Sequence, residues 1–384
     1  MTHSQNPIRE ASDQFSELAG VLYANHAAMG PWPRATREAV AEFAVTNHER
    51  GPMDYASWLA VETRLRERVT RMLNAGDAQD IALLRNTTEG IGTVARGLEW
   101  RAGDRIVTAR GEFITNRLAW AALEARGVVL DVVDLRAVDD PEAALAAAFT
   151  ERTRLLTVSS VQWDDGFRLD LGRLGRACRD AGVLFFVDAI QQLGALQLDV
   201  RRDQVDFLAA GSHKWQLGPE GMGVLYVSPA LRGELGIANP GWRMLDDPYR
   251  FDRPDREPSP SARRFEGGSP NTLGQIALEA SLGVLETAGM AAVESRVLAN
   301  TAQLMAGIRS IKGIKLVSRT AEERRSGIVS LLDGDGEPAR LHRNLKRQKL
   351  SVALRGDLVR FSPHFYQGAP EMDRLLNALE DAKK

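Results

Sequence analysis

Cysteine is almost missing from this chain. A single residue, Cys178, stands among 384, which excludes an intramolecular disulfide framework and any multi-cysteine metal or iron–sulfur site. An excess of one charge is missing too. Lysine plus arginine number 49 against 51 aspartates and glutamates, a formal charge of -2, so no global electrostatic footprint marks nucleic acid or acidic lipid as a partner. No apolar run approaches ~18 residues, and the opening MTHSQNPIREASDQF has no apolar signal core. The expectation is a soluble, cytoplasmic protein without membrane or nucleic-acid partners. Neither GxxxxGK[ST] nor HExxH occurs, and the histidines at 3, 26, 48, 213, 342 and 364 are too scattered for a zinc site. No metal is expected. Gly218-Pro-Glu-Gly221-Met-Gly223 precedes a strand rather than following one, a poor dinucleotide loop.

The composition that remains is that of a globular protein, 44% hydrophobic and 26% charged. Seven short, nearly continuous apolar runs read as strands buried on both faces: Ile81–Leu84, Arg105–Thr108, Val128–Val133, Leu155–Ser159, Val183–Val187, Phe207–Ala209 and Gly223–Val227. Amphipathic stretches such as Arg117–Arg126 and Leu171–Ala181 lie between them, the second stopped by Gly182. Repeated strand–helix–strand units predict an α/β architecture with a mainly parallel sheet. Residues 228–272, rich in Pro, Gly and Arg, read as a long functional connection. Helices at Leu273–Ala288 and Ala291–Ile311, strands at Ile314–Ser318, Gly327–Leu332, Leu350–Leu354 and Leu358–Ser362, and a last helix at Glu371–Ala382 predict a smaller α+β domain.

Four sites fall at predicted strand ends, where open α/β sheets hold their ligands. Asn86-Thr87-Thr88-Glu89-Gly90 opens a helix whose free amides suit a phosphate, although Thr87 or Thr88 can equally be a plain N-cap. Asp188 ends an apolar strand and needs a donor or cation there; a helix cap or structural ion pair is the bland alternative. Lys214, in Gly211-Ser212-His213-Lys214-Trp215, has apolar and aromatic neighbours that favour a lowered pKa and an amine nucleophile, against a solvated loop lysine. In Arg355-Gly-Asp-Leu-Val-Arg360-Phe-Ser-Pro-His364 one arginine can clamp a carboxylate, or merely pair at the surface. Each piece is weak alone. Together they meet the needs of pyridoxal 5'-phosphate (PLP): an amine for its aldehyde, a carboxylate for its pyridine nitrogen, a helix terminus for its phosphate and an arginine for a substrate carboxylate.

Six motifs in order, NTTEG (86–90), GEFITNRLAW (111–120), VDAIQ (187–191), SHKW (212–215), RFEGGSPN (264–271) and VRFSPHFY (359–366), resemble the class V aminotransferase superfamily. The branch most alike holds cysteine desulfurases, selenocysteine lyases and isopenicillin N epimerase-like enzymes. The resemblance implies the fold-type I, aspartate aminotransferase-like fold. It implies an N-terminal segment 1–44 joining the small domain, a large PLP-binding domain 45–272, and a small domain 273–384. It makes Lys214 the lysine that condenses with PLP, Asp188 the partner of the pyridine nitrogen and Gln191 that of the phenolic oxygen. Thr87, Thr88, Ser212 and His213 would bind phosphate, and Phe113 would stack on the ring. Ser269 would reach the phosphate of a neighbouring subunit, implying a homodimer. Arg360 would hold the carboxylate of an amino-acid substrate, with Asn25, His26 and Ser160 near it.

Departures narrow the activity. Residues 333–348 carry no cysteine where desulfurases have theirs, and Phe113 stands where they usually have histidine, so persulfide-forming desulfuration is disfavoured. Aminotransferase-type chemistry leads. Cα/Cβ lysis and epimerisation follow, the latter with His26, His364 or Tyr366 as a second acid/base, and an inactive binding scaffold is the last alternative.

Overall fold

The computed structural model describes residues 7–16, 18–252 and 255–384; residues 1–6 and 17 of the N-terminal segment, and Arg253 and Pro254 of the long connection, lie outside them. A short strand, β1 (Leu22–Tyr23), precedes the seven strands of the main sheet: β2 (Ile81–Leu84), β3 (Arg105–Ala109), β4 (Val129–Val133), β5 (Thr153–Ser159), β6 (Leu184–Asp188), β7 (Phe207–Gly211) and β8 (Gly223–Val227). Their order is β2-β8-β7-β6-β5-β3-β4. Only β8 runs against the others, pairing antiparallel with both β2 and β7. The remaining strands therefore share one direction, and their C-terminal ends meet along one edge.

Continuous Ile, Leu, Val and Phe in the central strands follow from cover on both faces. On one face lie the helices Tyr55–Leu73, Leu171–Ala181 and Thr272–Ala288 around Leu65, Leu174, Phe185 and Leu282. Helices Thr87–Gly97 and Thr115–Ala121 cover the other, around Ile91, Trp120, Phe186 and Phe207. β4 departs from the expected double burial: Val129 and Val132 are each 39% exposed, because β4 is an edge strand paired only with β3.

The second core is separate. Strands β9 (Ile314–Leu316), β10 (Val329–Asp333), β12 (Ala353–Arg355) and β13 (Leu358–Phe361) form an antiparallel sheet in the order β12-β13-β10-β9. Between them in sequence, β11 (Leu350–Ser351) pairs in parallel with β1. Leu22 and Ala24 thus enter the small-domain core with Leu304, Leu331, Phe361 and Leu375, and the Asn25–Ser362 bridge continues that seam. The implied division at 44/45 falls inside the helix Arg34–Arg50. Just after the implied division at 272/273, Leu278, Leu282 and Leu285 of the helix Thr272–Ala288 pack into the large core. The connection after β8 has two 3-10 turns, Trp242–Met244 and Ala262–Phe265. Arg243 fastens it to the large domain by an ion pair with Glu62 at 2.7 Å.

Candidate active site

Strand ends and small-domain loops enclose a cavity of about 270 Å³ lined by Thr87, Thr88, Phe113, Trp163, Asp188, Gln191, His213, Lys214, Arg355 and Arg360, with Ala27, Ala28, Asn86, Thr115 and Ile190. Eight residues singled out from the sequence thus meet in one place, from five separate stretches of chain. Local sequence explains each placement. Asn86 caps the helix Thr87–Gly97, its Oδ1 accepting from Glu89 N at 2.8 Å, so the first amides of that helix face the cavity rim. Thr87 Oγ1 accepts from Gly211 N at 2.8 Å and ties the helix to the end of β7. Gly30 lets the N-terminal segment approach Lys214: a Cβ there would sit 2.3 Å from the Lys214 carbonyl oxygen. Its N–H donates to His213 O at 2.7 Å.

Electrostatics set the floor apart. Asp188 is buried, and its Oδ1 accepts from Ile190 N at 3.1 Å. Burial pushes its carboxyl well above the usual range; Glu112 adds to the rise and Lys214 opposes it. Lys214 is also buried, and burial holds its ammonium well below an ordinary lysine, with Arg360 and Arg355 pushing the same way against Asp188. Its Nζ lies 5.7 Å from the Phe113 ring centre. Phe113, 42% exposed, meets Trp163 edge to face at 5.7 Å. Gln191 is braced by Trp215 Nε1 (2.9 Å) and Ala27 O (3.1 Å), with one amide hydrogen to spare.

Arg360 is 1% exposed. One of its nitrogens, Nη1, donates to Trp163 O, while Nε and Nη2 are buried without a protein partner. Burial, then Arg355, lowers its pKa, yet a guanidinium stays charged at neutral pH. Two unpaired donors on a buried, planar cation call for a carboxylate.

The other expected residues sit elsewhere. Ser212 Oγ turns from the cavity and donates to Pro219 O at 2.5 Å. Ser160 is buried against the Asp188 carbonyl. Asn25 Oδ1 is buried and unpartnered outside the lining. Ser269 lines a neighbouring cavity with Arg85, Glu89 and Gly268. His26 and His364 lie in the domain junction, locked. His26 Nδ1 faces Ser362 O and Nε2 faces Tyr366 Oη, each at 2.8 Å. His364 Nε2 faces Trp215 O at 3.0 Å, and its Nδ1 accepts from Phe365 N at 2.7 Å. Burial lowers both imidazoles, His364 to about 4, and raises the Tyr366 phenol. None of the three can serve as the second acid/base: each is held by protein partners away from the cavity. Cys178 is equally remote, inside the helix Leu171–Ala181 with its thiol pushed up to about 12 by burial. Trp163 lies outside every quoted motif, Thr115 lies inside GEFITNRLAW without a role assigned to it, and only the resemblance singled out Arg360 over Arg355.

The donor set fits PLP. A buried carboxylate without an ion pair within 4.0 Å among the described residues suits a protonated ring nitrogen, and the buried lysine of depressed pKa beside it suits an aldehyde. An aromatic face and a helix terminus complete the match. Fold and site define a PLP-dependent enzyme of fold type I. A profile of the family Aminotransferase class-V matches residues 23–360, and the chain belongs to that family. A probable cysteine desulfurase of Methanothermobacter thermautotrophicus is 32% identical over 94% of each chain. Isopenicillin N epimerase of Streptomyces clavuligerus is 28% identical, again over 94% of each. Among solved structures, the cystine C-S lyase C-DES in complex with cysteine persulfide is 26% identical with a TM-score of 0.88, covering 96% of this chain and 99% of that one.

Proposed function

We propose that this enzyme removes the Cα proton of an amino acid with Lys214 as its one mobile base and completes a transamination. The observation that carries this reading is that Lys214 and Asp188 line the same cavity, one amine held low and one carboxylate held high by the same burial. PLP, when bound, supplies an electron sink for the charge left at Cα. Asp188 keeps a proton on the ring nitrogen. Arg360 fixes the substrate carboxylate through its two free donors and so orients the Cα–H bond toward Lys214. Phe113 and Trp163 exclude water from one wall and cannot move protons. The site residues thus offer no proton donor on that wall, which weighs against epimerisation. Arg355, beside Arg360, keeps this end of the cavity cationic and favours anionic amino acids.

Cysteine-free C–S lysis is the second reading, favoured by the similarity to C-DES and by the same single base. Incubating PLP-loaded protein with an amino-acid panel, with and without 2-oxo acids in deuterated water, separates the two. Amino transfer that requires the 2-oxo acid supports transamination. Pyruvate, ammonia and cysteine persulfide formed from cystine without an acceptor support lysis, and an absence of Cα exchange with every amino acid overturns both.

We further infer a homodimer. Ser269 sits outside the cavity of its own chain, beside Gly267 and Gly268 in an adjoining hollow, as a residue serving a neighbour's phosphate would. Sedimentation of holo and apo protein checks it: a fully active monomer removes the inference.

A further inference from the structure

A second buried carboxylate stands behind the cavity wall. Glu112 follows β3 in the turn that carries Phe113, and its side chain points the opposite way, into the protein. Its oxygens accept from Ser159 N at 2.8 Å, Asn116 Nδ2 at 3.0 Å, Gln162 Nε2 at 3.1 Å and Ser159 Oγ. Among the described residues no cation pairs with it within 4.0 Å. Asn116 is held in this orientation by its Oδ1, which accepts from Trp120 Nε1 at 3.1 Å and from Thr157 Oγ1 at 3.0 Å. Burial raises the Glu112 carboxyl, and all four donors oppose that rise. A carboxylate given four donors is built to hold negative charge.

Its anchor is a cross-strand neighbour of the carboxylate at the cofactor site. Ser159 lies opposite Asp188 in the β5–β6 pairing, and Ser160 N donates to Asp188 O at 3.0 Å. The charged groups acting on Asp188 are Glu112 and Lys214, and those acting on Lys214 also include Arg360 and Arg355. On the other side of the turn, Asn116 N closes onto Phe113 O at 2.8 Å, and Trp163 Nε1 holds Gly111 O at 2.9 Å.

We propose that Glu112 is a positioning residue of the cofactor site: fastened to Ser159, it holds the turn that presents Phe113 and sets a second negative charge behind Asp188. The proposal rests on Lys214 and Asp188 as the anchors of PLP. A negative charge there stabilises a proton on any titrating group in the site, so its removal lets that proton leave at lower pH.

The test is a pH titration of the visible absorption band of PLP-loaded Glu112→Gln, with thermal unfolding measured alongside. The midpoint is expected to move down by about one pH unit, a change that a purely structural role does not produce. Gln162→Met removes one donor and leaves the carboxylate; it favours neutral Glu112 and shifts the midpoint the same way by less. This second variant decides the matter if Glu112→Gln does not fold. A normal wild-type band whose midpoint stays put in the folded variants overturns the proposal alone. Wild-type protein that develops no visible band with PLP overturns the underlying reading of Lys214 instead.

Discussion

The cavity floor and the domain junction use the same chemistry to opposite ends. In the junction, His26 and His364 are fully buried and Tyr366 is half-buried, and their polar atoms find partners within the protein. On the floor and its rim, Asp188, Lys214 and Arg360 are as deeply buried, yet they keep charge or hydrogen-bonding capacity unspent. Burial alone perturbs a titratable group; burial without a full set of partners leaves it available for reaction. An imidazole fixed at both nitrogens is a fastener.

The largest effect that would break this contrast is at Lys214. Lys214→Ala should lower turnover by about 10²–10⁴-fold or more, and borohydride should fix PLP to Lys214 in the wild type; labelling of another lysine would sink the assignment. A pH dependence sharpens it. Since only the neutral amine attacks, the rate at which apo protein captures PLP should rise with pH, with a midpoint well below the ~10.4 of a free lysine because burial lowers Lys214. A midpoint at the free value would place Lys214 in solvent.

Arg360→Lys comes next. Replacing a planar fork by a point charge should weaken carboxylate-bearing amino acids by roughly 10–100-fold in kcat/KM, while amines lacking the carboxylate lose far less. Equal losses for both would make the arginine structural.

The smallest catalytic effect belongs to the junction. His364→Asn should cost about 1–3 kcal/mol of stability by unpairing the Trp215 carbonyl, with kcat/KM of the folded fraction nearly unchanged. His364 is lowered in the folded state, so the unfolded chain binds more protons between about pH 6.5 and 4. Stability should therefore fall on acidification through that window, by up to about 1.4 kcal/mol per pH unit from this residue. Equal acid sensitivity of wild type and His364→Asn would show that the imidazole is already solvated.

How far the sequence could be read follows the same divide. The buried strands were legible almost to the residue: Ile81–Leu84 and Gly223–Val227 coincide with β2 and β8, because continuous apolar runs bounded by turns have few other uses. The helix Arg34–Arg50 left little trace, since Thr36 is its one buried residue and no apolar stripe marks it. Lys214, Asp188 and Arg360 stood out as reactive types at strand ends. Whether His26 or His364 was reactive depended on partners 336 and 149 residues away, which no local pattern encodes. Glu112 was hidden for a similar reason: three of its four donor groups come from Ser159 and Gln162, some fifty residues on.

The pairing of Leu22 with Leu350 has a consequence for synthesis. A ribosome releases β1 long before β11 exists, so the first strand of the small domain must wait through production of the whole main sheet. Of the seven main strands, β3 to β8 can pair with neighbours already made or soon to follow, and β2 waits only for β8. The seam β1–β11 closes only at the end, and with it Arg360 and the junction histidines come into place. The nascent protein therefore carries Lys214 and Asp188 on a finished sheet before it has a roof over them. It gains its cofactor platform first and its substrate clamp last.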